Sequence, residues 1–101
     1  MMNKGRLVII NAPSSLEEML VDCLLTLESE HGFTSFPVNV HHHENKGLSL
    51  AEQVSGRQKQ TCFQIHIDEA GAGVLLRQLQ EEFAGAGIQY WVLPMLESTE
   101  I

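Results

Sequence analysis

Three consecutive histidines, His41 to His43 in the stretch NVHHHENKG, stand in mid-chain and offer imidazole nitrogens of the kind that bind zinc or copper. Side chains alternate between the faces of a strand, so His41 and His43 share one face and His42 takes the other. Further on, Cys62 supplies a thiol and His66 another imidazole. If the strand ending in the histidines pairs with the one carrying Cys62, Gln64 and His66, then His41, His43 and Cys62 (or His66) become neighbours. Copper or zinc is the metal such a set would take, with Glu44 as a further oxygen ligand. The spacing matches no zinc pattern such as paired CxxC, and a one-residue slip of register turns the set to the other face. The same histidines therefore also read as residues that end a strand.

A second group is cationic. Lys46, Arg57 and Lys59 are half of the chain's six basic residues, gathered in one stretch. They suit an anionic ligand or the acidic surface of a protein partner; the plainer alternative is a solvated hairpin tip. Catalysis is poorly served. Cys62 has no activating helix terminus or orienting acid in view, so no catalytic residue is assigned and the chain is read as a non-enzyme. The glycines of EAGAGV, residues 69–74, lack the lysine of a phosphate-cradling loop and fit close helix packing.

The chain must position these groups with 101 residues, 44% of them hydrophobic and 19% charged, which is enough for one domain with a single two-layer core. A formal charge of −7 argues against nucleic acid as the main partner and against anionic membrane surfaces. The longest apolar run near the start, Leu7 to Ile10, is too short for a signal-peptide core, and nothing approaches the ~20 apolar residues of a membrane span. The expectation is a cytoplasmic protein without membrane insertion. Two cysteines make no disulfide framework.

The apolar run RLVIINA (6–12) predicts a strand buried on both faces. Ser15 with Glu18 fits a capping box opening a helix whose stripe is Leu16, Met19, Leu20, Cys23, Leu24 and Leu27. From Phe33 to His43 the pattern alternates, with Phe36, Val38, Val40 and His42 on one face. Phe63, Ile65 and Ile67 alternate with Cys62, Gln64 and His66 in a third strand. Asp68 caps a second helix with the stripe Leu75, Leu76, Leu79 and Phe83, which Gly85 and Gly87 end. IQYWVL (88–93) is the last strand, stopped by Pro94.

The order βαββαβ is that of an α+β ferredoxin-like fold, a four-stranded antiparallel sheet with both helices on one face. Its other face would be apolar at strands one and four, which predicts self-association unless Trp91 packs under the residues that follow it. Residues 44–60 form an anomalously long connection, in which SLAEQVSG fits a short capped helix.

With that topology, "PSSLEEMLVDCL", "GFTSFPVNVH" entering the long connection, and "YWVLP" resemble the PII-like signalling proteins and their relatives the CutA proteins over nearly the whole chain. "LSLAEQVSGRQ" (48–58) is similar to a PII-like group linked to heavy-metal efflux systems. The resemblance implies a homotrimer whose sheets line a three-fold axis, and a long loop (the T-loop of that family) that reaches a protein partner such as a transporter. It also implies an adenine nucleotide in a cleft between subunits. The family's glycine- and lysine-bearing phosphate loop is here reduced to AGAG (84–87), and the long loop has no tyrosine to modify. The CutA side of the resemblance implies divalent-metal tolerance without a signalling partner.

Overall fold

The computed structural model describes residues 5–27, 32–41 and 57–101. Its elements are β1 (Gly5–Pro13), a 3-10 turn (Ser14–Leu16), α1 (Glu17–Leu25), β2 (Phe33–His41), β3 (Arg57–Asp68), α2 (Glu69–Phe83) and β4 (Gln89–Pro94). The strands form one sheet in the order β2-β3-β1-β4, with every neighbouring pair antiparallel. This is the expected ferredoxin-like arrangement. The short helix expected within 48–56 lies outside the described residues.

The core lies between the helices and one face of the sheet. Val8, Ile10 and Ala12 of β1 and Phe63 and Ile65 of β3 meet Leu20, Cys23 and Leu24 of α1 and Ala72, Leu75, Leu79 and Phe83 of α2, all buried. Each set follows its element's period, two along the strands and three or four along the helices. Met19 departs from the expected stripe and is exposed, while Val21 is packed against the core instead.

The helix starts differ. α2 begins as expected, with Asp68 Oδ1 accepting a 2.6 Å hydrogen bond from the Gly71 amide. The capping box at Ser15 and Glu18 does not form. Ser15 already lies inside the 3-10 turn after Pro13, and α1 starts from Leu16 without a side-chain cap. Gly71 is explained by packing, since a Cβ there would stand 2.5 Å from Ile67 Cγ1. After α2 the chain reverses through Gly85 and Gly87, at φ 80° and 83°, a left-handed backbone that glycine adopts without strain.

Strand β3 starts at Arg57, so residues 57–60 of the expected long connection are strand. Gln60 and Thr61 are buried there, which ties that stretch to the sheet.

Candidate functional site

Two faces of the sheet carry the residues of interest, and the register decides which residues share a face. β1 pairs with β3 only as far as Pro13↔Gln60, whereas β2 stays paired through Val40↔Gln58 to His41↔Arg57. The last rungs of β2 and β3 therefore form a two-stranded ribbon that runs on beyond β1. Directly opposed residues point the same way, so Asn39, His41, Arg57 and Lys59 lie on one face of the ribbon, all exposed. Two of the three predicted cations thus come together with the first histidine. Lys46, the third, lies outside the described residues.

Among the described residues, the predicted metal ligands His41 and Cys62 do not come together. Cys62 is opposed by Phe36 and Asn11, which places it on the other face of the sheet from His41. His66 shares that other face but stands four residues along β3, about 13 Å from Cys62. His42, His43 and Glu44 lie outside the described residues. Among the described residues no group of three or more His, Cys, Asp or Glu side chains is gathered. Burial also pushes the Cys62 thiol above its ordinary pKa, which disfavours the thiolate that would bind metal or attack a substrate. Beside His41, moreover, Arg57 and Lys59 attract an anion more readily than a second cation.

The reason for the correction is the register of β2. Phe36, Val38 and Val40 do share a face as expected, but they turn away from the helices. Phe63 and Ile65, which point into the core, are opposed by Ser35 and Phe33. Only Phe33 of β2 packs on the core, its ring 6.3 Å from that of Phe63. A one-residue difference from the pairing assumed on the sequence moves the whole set across the sheet.

The open face that results has an unusual composition. β1 contributes Leu7, Ile9, Asn11 and Pro13, and β4 contributes Gln89, Trp91 and Leu93. β2 presents Thr34, Phe36, Val38 and Val40, and β3 presents Gln58, Gln60, Cys62, Gln64 and His66 between them. No Asp, Glu, Lys or Arg stands among these residues; Asp68, next on the same face at the rung Gly5↔Asp68, accepts from the Gly71 amide as the cap of α2. Phe36, Trp91 and Leu93 are 42%, 45% and 44% exposed. The residues after β4 do not cover Trp91. The Asn11 side-chain oxygen is buried without a hydrogen-bond partner among the described residues, next to Cys62 and Gln89 in the ladder.

Cys23 is on the helix side of the sheet, and burial raises its pKa with Glu82 adding to the effect. The sheet separates the two cysteines, and both are free.

A further concavity of ≈ 280 Å³ opens between the end of α2 and the start of β4, lined by Leu79, Gln80, Phe83, Ile88, Tyr90 and residues 84–87. This is the AGAG segment, and among the described residues its lining supplies no cation for a phosphate.

No curated protein matches the chain. Among solved structures, one from Shewanella baltica OS155, described as a DUF3240 family protein, is similar with a TM-score of 0.80 at 21% identity, covering 99% of each chain. CPII from Thiomonas intermedia K12, a nitrogen regulatory PII-like protein solved with ADP, AMP and bicarbonate, is similar with a TM-score of 0.75 at 15% identity over 100% of both chains. CutA from Synechococcus elongatus PCC7942 is similar with a TM-score of 0.68 at 11% identity, covering 95% of this chain and 81% of that one. The fold is thus the one shared by PII-like and CutA proteins. The family model described as "Protein of unknown function (DUF3240)" matches residues 1–101, and the chain belongs to that family.

Proposed function

We propose that the chain is a homotrimeric PII-like regulatory protein that works by binding rather than catalysis. It senses a small anionic ligand at the base of the β2–β3 hairpin and contacts a protein partner through residues 42–56 and the adjoining rungs. The observation that carries this reading is the partition of charge. In a chain of formal charge −7, the open face holds no Asp, Glu, Lys or Arg from the rung Leu7↔His66 to the rung Pro13↔Gln60, Asp68 beyond them being engaged as the cap of α2, while Arg57 and Lys59 lie together on the other face of the hairpin. A partly apolar face whose centre is free of charge suits burial against further copies, because charged residues are depleted at the centres of protein interfaces. The cationic face suits a phosphate or carboxylate. ADP, AMP and bicarbonate, held by the Thiomonas neighbour, are all anions.

An anion bound at Arg57 and Lys59 changes the charge that a partner meets at the hairpin base, and the partner reads that change. The resemblance of residues 48–58 makes a metal-efflux system the proposed partner. The alternative is a CutA-like metal-binding protein without a signalling partner. With Cys62 on the other face, that alternative rests on His41 and His43.

Native mass spectrometry of untagged protein, titrated in parallel with ADP, ATP, zinc and copper, separates the readings. The regulatory reading predicts a trimer taking up one nucleotide per subunit, with uptake lost in an Arg57→Glu/Lys59→Glu variant that remains trimeric. Stoichiometric zinc or copper with no nucleotide would replace it with the metal reading.

A further inference from the structure

The sheet ends in two edges, β2 and β4, and one hydrogen bond fixes which residues turn their backbone outward there. The Met95 amide donates to the Gly5 carbonyl at 3.1 Å, which makes Gly5 and Met95 a hydrogen-bonded pair next to the rung Arg6↔Pro94. In an antiparallel ladder such pairs alternate with pairs that turn their N–H and C=O groups away from each other. Leu93, Trp91 and Gln89 therefore bond to β1, while Tyr90, Val92 and Pro94 face outward. Carried across the registers of β1, β3 and β2, the same alternation leaves Phe33, Ser35, Pro37, Asn39 and His41 outward on the opposite edge. Pro37, which has no N–H, thus falls where a proline within a sheet belongs.

Neither edge is defended. Proteins commonly blunt a free edge with lysine or another charge, because its unpaired N–H and C=O groups take up strands of other chains. Neither Gln89–Pro94 nor Phe33–His41 holds an Asp, Glu, Lys or Arg, in a chain with 6 Lys or Arg and 13 Asp or Glu. Every residue of β4 is exposed, and among the described residues no strand or backbone hydrogen bond covers its outer side.

A three-fold ring brings two different surfaces together at each contact. Under the trimer proposed above, an edge-to-edge contact therefore joins β4 of one copy to β2 of the next, and not to a second β4. The prolines and the side chains then select a register. Opposing Tyr90 to His41 and Val92 to Asn39 leaves both pairs fully hydrogen-bonded, and it sets Pro94 against Pro37, where neither strand has an N–H to give. Intermediate registers set Pro37 against Val92 or Tyr90 and lose a donor. The register with Tyr90 opposite Ser35 and Val92 opposite Phe33 keeps both pairs, but lays Trp91 beside Thr34 and Gln89 beside Phe36. In the first register Trp91 lies beside Val40 and Leu93 beside Val38, apolar pairs formed on the open face where all four side chains already stand.

We propose that the free edge of β4 in one copy pairs antiparallel with the free edge of β2 in a second copy, with Tyr90 opposite His41 and Val92 opposite Asn39. The inference rests on the self-association proposed above and adds to it an edge contact that continues the open face through Trp91 and Leu93.

The test is a disulfide across that contact. Leu93 and Val38 would oppose each other as a non-hydrogen-bonded pair, whose Cα atoms stand about 4.5 Å apart, within the ~4.4–6.8 Å that a disulfide spans. Within one copy the two cannot meet. Val38 stands at the Gln60 rung and Leu93, through Leu7, at the His66 rung, about 20 Å along the sheet as well as strands apart across it. The full chain carrying Val38→Cys and Leu93→Cys on a Cys23→Ala/Cys62→Ala background is oxidised with diamide and resolved on a non-reducing denaturing gel. Covalent dimer and trimer are expected, at least ten-fold above the yield of a Phe36→Cys/Gln89→Cys control that reports the rival register. Sedimentation equilibrium of the cysteine-free parent accompanies the gel. A parent that self-associates while the Val38–Leu93 pair fails to link, or links no better than the control, overturns the edge pairing and leaves the self-association standing. A monomeric parent overturns both.

Discussion

His41 and Arg57 are directly opposed on the last described rung of the β2–β3 ladder, while Cys62, on the same strand as Arg57, faces the other side of the sheet. This relationship makes the histidine part of a cationic face and removes the thiol from its reach. On the reading proposed above, the hairpin base prefers anions, and that preference can be measured.

Replacing Arg57 and Lys59 by glutamate should weaken ADP binding ten-fold or more, since a hydrogen bond to a charged group contributes about 1.5–3 kcal/mol. The wild-type affinity should itself fall as salt is raised, because the site is exposed and therefore screened. Isothermal titration calorimetry at two ionic strengths checks both. An affinity indifferent to the substitutions and to salt would place the ligand elsewhere.

The two glycines early in α2 should respond in opposite directions. A Cβ at Gly71 would stand 2.5 and 2.6 Å from Ile67 side-chain atoms, whereas one at Gly73 meets nothing within 4 Å. Gly71→Ala should therefore destabilise by about 1–3 kcal/mol, the usual range for overpacking, less what alanine returns in helix propensity. Gly73→Ala should stabilise by about 0.5–1 kcal/mol. Urea unfolding midpoints, with slopes unchanged, report both signs.

Both thiols sit above their ordinary pKa of 9.0 in the folded chain, each chiefly through burial. A raised folded pKa means that the unfolded chain releases the proton first. The associated stability is full below pH 9.0 and is lost as the pH climbs past it. Stability should accordingly decline above pH 9 more steeply in the wild type than in a Cys23→Ala/Cys62→Ala variant compared with its own value at pH 7. Thiol labelling at pH 7 should be slow until the chain is unfolded. Rapid labelling of Cys62 in the folded protein would contradict its burial.

The elements were legible in the sequence because each apolar period is long and cleanly bounded. The runs ending at Leu24 and at Phe83 recur at three and four, and the Phe63–Ile67 alternation marks the inward side of β3. The relation between β2 and β3 was not legible. Both faces of β2 carry apolar or polar residues that fit either side, and a long connection leaves the register free, whereas a two-residue turn would fix it. The predicted grouping of Cys62 with His41 failed at that step alone. The pairing of Arg57 and Lys59 survived it, because residues two apart on one strand share a face in any register. The Ser15 cap failed for a local reason, since Pro13 leads directly into a 3-10 turn.

The open sheet face, free of charge from the rung Leu7↔His66 to the rung Pro13↔Gln60, is the centre of the account, and the mass of the protein in solution tests it most directly. Sedimentation equilibrium of the untagged wild type should give three times the 11.3 kDa of one chain. A Trp91→Glu variant, which places a charge on that face beside Ile9 without touching the helix-side core, should remain folded by circular dichroism and sediment as a monomer. A wild type that is monomeric at micromolar concentration, or a trimer indifferent to Trp91→Glu, would contradict the assignment of the open face as the surface through which copies meet.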